Sequence, residues 1–155
     1  MSAQQSGAKI LAVNRRARFN YQVEDSFECG VSLVGTEVKS IKTGKFSFSD
    51  AYGRIRDNEL WLISFHISPY EHGAIFNHEP DRDRRLLAHR QEIKRLKRQI
   101  DERGFTLVPM KVYLKTGLVK LEMAVCKGKN FADKRQSIKQ RDLNREAERE
   151  LRSRR

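Results

Sequence analysis

The sequence predicts a mainly β domain with short helices (α+β), folded as an antiparallel barrel and followed by a basic C-terminal tail. Three observations lead there. Apolar and polar residues alternate in several short segments, the period of a half-buried strand. Turn residues punctuate them, Asp57-Asn58 and Thr116-Gly117 among them. Positive charge is gathered into two stretches. Of a net +12, residues 127–155 hold eleven Lys/Arg against five Asp/Glu, and residues 82–103 hold nine against four. The other 104 residues carry only +1, so the charge has the layout of a phosphate-backbone binder.

Each element follows from its residues. Met1 to Val13 is small and polar and is expected to be a disordered extension. Asn14-Arg15-Arg16-Ala17-Arg18 is a short basic entry to a domain spanning residues 14–126. From Tyr21 to Leu33 the apolar side chains of Tyr21, Val23, Phe27, Cys29, Val31 and Leu33 alternate, with a phase slip at Glu24-Asp25 that predicts a bulge. Gly35 to Gly44 reads as a short helix, with Thr36 as its cap, Val38 and Ile41 on one face and Gly44 as its stop. Phe46 to Ile55 and Leu60 to Phe65 form a hairpin about Asp57-Asn58. Ile67 to Pro80 is a long loop.

Asp81 to Gly104 is expected to be one helix. Leu86, Ile93, Leu96 and Ile100 share a face, Asp81 or Asp83 caps it and Gly104 ends it. A second hairpin follows. Phe105 to Lys115 turns Val108, Met110, Val112 and Leu114 inward, and Leu118 to Cys126 does the same with Val119, Leu121, Met123 and Val125. Five or six antiparallel strands in so short a domain favour a closed or nearly closed barrel. The oligonucleotide-binding type is the leading candidate, because a helix between strands caps such barrels; a sandwich is the alternative.

The tail from Lys127 to Arg155 has no proline, and no glycine after Gly128, but its apolar supply is Phe131, Ile138, Leu143, Leu151 and two alanines. It can form helix by propensity yet cannot bury enough surface to dock firmly. A basic tail of this kind orders on an anionic partner; a solvated, frayed extension is the plainer alternative.

Other classes have little support. The longest apolar run, Leu60 to Ile63, is four residues, and the N-terminus lacks the apolar centre of a signal peptide. Cys29 and Cys126 lie within apolar alternation and read as buried free thiols, which suits the cytoplasm. There is no glycine-rich phosphate loop, no Gly-x-Ser-x-Gly and no His-Glu-x-x-His. His66, His72, His78 and His89 lack cysteine or paired carboxylate partners, so no metal is expected. Asp81 and Asp83 are read as caps rather than magnesium ligands. No catalytic residue and no cofactor is expected. For binding, Tyr113 and Lys120 fall outward on adjacent strands, where they lie side by side. Glu28 also faces outward. In an RNA site a carboxylate serves only as an acceptor for base donors or 2′-hydroxyls, or as a clamp for arginines; otherwise it is a plain exposed strand residue.

The motifs NRRARFNY, FECGVSLVGTEVKSIKTGK, FHISPYEHG, FNHEPDRDRRLLAHRQEI, GFTLVPMKVYLKTG and VCKGKNFADKRQSIKQRD then stand in an order that resembles the small protein B (SmpB) family, the SsrA (tmRNA)-binding proteins of bacterial trans-translation. The resemblance covers Asn14 to Asp142. It implies an oligonucleotide-binding-like barrel that grips the tRNA-like domain of tmRNA. The partners it implies are the elongation factor Tu complex with alanyl-tmRNA and the decoding centre and mRNA channel of a stalled ribosome. The tail is implied to be disordered in free protein and helical in that empty channel, with no covalent chemistry done by the protein. By the resemblance, the RNA-contacting barrel positions are Asn14, Glu28, Leu87 and Lys120, which moves Glu28 from plain strand residue to site residue. The ribosome-binding tail positions are Gly128, Lys129, Asp133, Lys134 and Arg135, followed by Ile138, Lys139 and Arg141-Asp142. One position departs from the family: Ala132 stands where an aromatic or histidine is usual, with Phe131 one residue earlier as the candidate substitute. Beyond Asp142 only a narrow stripe of Leu143, Ala147 and Leu151 remains. The competing functions are a general structured-RNA-binding or ribosome-associated protein without tmRNA specificity, and a magnesium-dependent RNA-processing enzyme.

Overall fold

The computed structural model describes residues 8–73, 75, 77–128 and 131–153, with side chains for all of these except 131–138 and 153. In chain order the elements are β1 (Ala8–Val13), α1 (Arg15–Asn20), β2 (Tyr21–Val31), α2 (Gly35–Lys42), β3 (Phe46–Ser47), β4 (Tyr52–Arg56), β5 (Glu59–Ile63), β6 (His66–Ile67), β7 (Arg84–Leu87), α3 (Arg90–Arg103), β8 (Thr106–Lys115), β9 (Leu118–Gly128) and α4 (Phe131–Ser153). The main sheet runs β1-β8-β4-β5-β7-β2-β9, and β9 returns to pair with β8. Six strands therefore close into a barrel, with β1 laid on the edge of β8. Short β3 and β6 pair separately.

Closure depends on one glycine. β4 meets β8 at the single pair Gly53↔Leu107, and a Cβ at Gly53 would fall 2.8 Å from that of Leu107. Only a residue without a side chain lets the two backbones approach so closely. Inside, Leu60, Leu62, Phe65, Leu86, Leu107, Val112, Leu121 and Met123 form the core, and α3 plugs it with Ile93 and Leu96. A smaller core of Ala17, Val108, Met110, Ala124 and Cys126 lies under α1. β8 serves both because its register shifts between Pro109 and Lys111. The sequence reading placed Val108, Met110 and Val112 on one face; the bulge puts the first two on the outer core and Val112 in the barrel. The bulge foreseen in β2 is present between Val23 and Asp25. Both cysteines are free and buried, and burial pushes their thiols up to about 12 for Cys29 and about 11 for Cys126.

Three further expectations are corrected. Residues 8–13 are strand, not disorder: Leu11 packs on the core, and the backbone pairs with Lys111 to Lys115 along an otherwise open edge. The expected helix at 81–104 begins at Arg90; residues 84–87 are β7, buried at Arg84 and Leu86 and exposed at Arg85 and Leu87. A period of two was hidden there because an arginine occupies an inward position. Asp81 and Asp83 therefore cap nothing; His89 stands at the N-cap and its backbone N–H is accepted by Glu92.

That inward Arg84 explains the GTEVKS and DRDRR motifs together. Glu37 and Arg84 are both fully buried. Arg84 Nε donates to Glu37 Oε2 at 2.5 Å, and its Nη1 donates to the Phe65 carbonyl at 2.6 Å. Arg82 Nη2 donates to Glu37 Oε1 at 2.5 Å, and the Val34 N–H donates to the same oxygen at 2.9 Å. Burial alone would raise the Glu37 carboxyl, but the hydrogen bonds from Arg82, Val34 and Arg84 hold it below its ordinary value. Glu37 is thus the first-turn partner of α2, while Thr36, expected as the cap, bonds His78 at 2.8 Å instead.

Candidate nucleic-acid interface

Register across the outer face of the barrel builds the site. Leu87 on β7 pairs with Gly30 on β2, Gly30 with Lys120 on β9, Lys120 with Tyr113 on β8, and Tyr113 with Ile10 on β1. One residue from each of five strands falls in a single line. Leu87 is 53% exposed and Ile10 56%, large values for aliphatic side chains. Gly30 leaves a depression in the middle of the line. A Cβ there would meet Leu87 at 3.4 Å and Lys120 Nζ at 3.6 Å, so the leucine and the ammonium already flank the gap. An apolar surface beside a cation, with a glycine floor between them, can take a base or ribose and the phosphate next to it.

Glu28 stands two residues from Gly30 on the same strand face. The Tyr113 hydroxyl donates to Glu28 Oε2 at 2.5 Å, and Lys115 Nζ lies 3.4 Å from each carboxylate oxygen. The hydrogen bond from Tyr113, with Lys115 assisting, holds the Glu28 carboxyl below its ordinary value. Burial, and then the same hydrogen bond, pushes the tyrosine phenol well above its own. Glu28 is thereby an acceptor fixed in direction. Its partners are a phenol and a lysine rather than arginines. Past Leu87 and Lys120 the face opens into a cleft of about 930 Å³ walled by α3, with Arg85, Arg90, Lys94, Lys97 and Lys120 around it.

Asn14 is placed otherwise. It is buried, its Oδ1 accepts from the Ala17 N–H at 3.2 Å, and its Nδ2 donates to the Pro109 carbonyl at 2.9 Å. It caps α1 and ties it to β8, so both ends of its amide are occupied by protein. In the tail, Gly128 ends β9 opposite Tyr21, and residues 131–153 form one helix. Lys139 is exposed, and Arg141 sets its guanidinium 4.8 Å from the Phe19 ring on α1. Lys129, and the side chains of Phe131, Asp133, Lys134, Arg135 and Ile138, lie outside the described residues. The same holds for any stacking by Phe131 in place of Ala132.

His66 and His78 belong to the loop scaffold. His78 bonds Thr36 and the Ile67 carbonyl, and His66 bonds Asp81 at 2.9 Å. Among the described residues no His/Cys/Asp/Glu group is arranged to hold a metal. Sequence reasoning missed Gly30 as the floor of the row and Lys115 as the second partner of Glu28. Lys115 was visible in principle, two residues beyond Tyr113 on the same strand face.

The model of the family described as SmpB protein matches residues 11–153. An SsrA-binding protein of Treponema denticola is 52% identical over 146 residues, covering 94% of this chain and 95% of that protein. One from Caldanaerobacter subterraneus subsp. tengcongensis is 50% identical over 151 residues, covering 97% and 96%. A chain of the solved structure presented as "tmRNA-SmpB: a journey to the center of the bacterial ribosome" superposes with a TM-score of 0.67 at 38% identity, covering 84% of this chain and 94% of that one.

Proposed function

The chain belongs to the SmpB protein family, and from that membership we infer that it binds tmRNA and carries it to stalled ribosomes in trans-translation. The observation that carries this is identity near one half, over almost the full length, to proteins named for binding SsrA RNA. The barrel face supplies a fitting geometry. Leu87, Gly30, Lys120 and Tyr113 form the contact row, and Glu28 is a fixed acceptor for base or ribose donors. Asn14, a further position that the family resemblance assigns to RNA, also holds α1 against β8. The tail helix, which contains Phe131, Asp133, Lys134, Arg135, Ile138, Lys139 and Arg141 and is preceded by Gly128 and Lys129, is the element that enters the empty mRNA channel near the decoding centre. Its cations neutralise ribosomal RNA phosphates there. The protein acts by binding and placement, with the elongation factor Tu complex of alanyl-tmRNA as co-partner. A cytoplasmic setting follows from a ribosomal partner, and no described helix is long and apolar enough to cross a membrane.

The test is competition. Labelled tRNA-like domain of tmRNA is bound to the full chain at moderate salt, with excess elongator tRNA. Binding that survives the competitor and weakens about tenfold in Lys120→Ala supports the assignment. Equal displacement by ordinary tRNA would leave only a general structured-RNA binder.

A further inference from the structure

The same barrel exterior carries a second aromatic among cations, away from the row. β4 turns Tyr52, Arg54 and Arg56 outward, and β5 turns Glu59, Trp61 and Ile63 outward, because Gly53, Leu60 and Leu62 between them are buried. Register sets Arg54 opposite Trp61 and Trp61 opposite Arg85, one line across three strands. Arg56 lays its guanidinium 4.7 Å from the indole centroid. Asp83 lies 3.7 Å from Arg56 and Glu59 3.4 Å from Arg85, while Arg54 has no carboxylate partner among the described residues. Three arginines face two carboxylates around a partly exposed indole.

Taken alone this is a solvated arginine–tryptophan stack, a common way to shelter an exposed ring. Its place in the fold says more. β7 carries Arg85 and Leu87 on one outward face, and Leu87 belongs to the RNA row. The band therefore runs without interruption from Lys120 on β9 through β2, β7 and β5 to Arg54 on β4. Four strand spacings make that roughly 19 Å measured around the curved barrel wall, so an RNA that touches both ends wraps the barrel. Arginine supplies a planar fork for phosphate and indole a face for a base, so the pair suits RNA better than an acidic protein surface, which would have no use for the ring.

We propose that Trp61, with Arg54 and Arg85 beside it, is a second contact for the RNA held at Lys120 and Leu87. An unpaired base of that RNA replaces Arg56 on the indole, and the guanidinium groups take the adjoining phosphates. The proposal rests on the tmRNA assignment above, and one titration separates the two. Trp61 is the only tryptophan in the chain, so its emission reports this site alone. The tRNA-like domain of tmRNA, labelled for anisotropy, is added to the full chain while Trp61 emission and its quenching by acrylamide are followed. Expected are saturable quenching and acrylamide protection that track the anisotropy curve. Trp61→Ala should weaken binding about fivefold or more, Trp61→Phe less, and Arg54→Ala with Arg85→Ala should flatten the salt dependence. Full anisotropy change with Trp61 emission and acrylamide access unmoved overturns the second contact and leaves the row intact. Loss of tmRNA preference over elongator tRNA, with quenching by both, overturns the tmRNA assignment and keeps Trp61 as an RNA contact.

Discussion

If the row and the tail are the RNA surfaces proposed above, they meet RNA by opposite physics. On the face, five strands fix Leu87, Gly30, Lys120, Tyr113 and Ile10 in register, so their ordering entropy is lost when the barrel folds and not when RNA arrives. In the tail, residues 139–152 are all exposed, Leu143 and Leu151 by 60% and 67%. Its tie to the domain through described side chains is Arg141 on Phe19. Over residues 139–152 the helix is stabilised by propensity and by local pairs such as Gln140 with Asn144, at 3.3 Å, and depends on what it meets. A preorganised face suits recognition of one RNA shape; a weakly tethered cationic helix suits a probe of whether a channel is empty.

The sharpest way to break this division is to remove the tail. Because β9 pairs through Gly128 with Tyr21, the cut belongs after Gly128 and not before Lys127. Ending the chain there should leave tmRNA affinity within about twofold while peptide tagging on stalled ribosomes falls to background. Tagging that persists would mean the face alone does both tasks. The converse experiment unfolds the face. Glu37→Ala leaves Arg84 buried without its carboxylate and should cost about 3–5 kcal/mol in urea unfolding. The wild type should show the linked pH effect. Glu37 has a folded value below its ordinary 4.5, so its contribution is complete above pH 4.5 and is lost as pH falls through the depressed value. Leu87→Ala, at an exposed position, should leave stability nearly unchanged and weaken RNA binding.

Smaller effects resolve who does what within the face. Lys120→Ala should weaken tmRNA binding about tenfold with a lower salt slope, as expected for a lost phosphate contact. Glu28→Gln keeps the shape but removes the charge that Tyr113 and Lys115 orient, and a loss of about fivefold is expected. Tyr113→Phe tests whether the tyrosine holds Glu28 or touches RNA itself. If it holds Glu28, affinity drops only a few-fold at neutral pH, and the acid loss of binding moves upward as the Glu28 carboxyl returns toward 4.5. A large loss at all pH values, with the acid limb unmoved, would make Tyr113 a direct contact.

Much of this was legible in the sequence, and each failure has a physical cause. Period-two alternation located β2, β8 and β9 and put Glu28, Tyr113 and Lys120 outward, because those strands bury aliphatic residues on one side. It failed at β7, where an arginine holds an inward position, and in β8, where a bulge moves Val108 and Met110 to the outer core. Arg84, buried with Glu37, made β7 look like the first turn of α3. Gly30 looked like a neutral strand residue until the register set Leu87 and Lys120 on either side of it. β1 was missed because Ile10, Leu11 and Val13 were read together with the small polar residues before them, and because an edge strand is fixed by the partner that accepts it, here β8. The tail's helicity was readable from composition, but its anchor on α1 depends on a long-range pairing that no local pattern encodes.

That anchor gives the smallest effect and the finest test of the comparison. An arginine over a phenylalanine at an exposed site is worth roughly 0.5–1 kcal/mol, enough to bias where the tail lies without fixing it. Arg141→Ala should therefore leave barrel stability and tmRNA affinity unchanged. It should raise amide exchange across residues 139–152 only a few-fold, because the helix keeps its own backbone bonds. Reintroducing the contact as Arg141→Lys should restore part of the protection, since lysine carries the charge without the planar stack. If Arg141→Ala instead released the whole helix to unprotected exchange, the tail would owe its structure to the domain. It would then be a docked arm rather than a free probe, and the contrast between the two regions would have to be redrawn around α1.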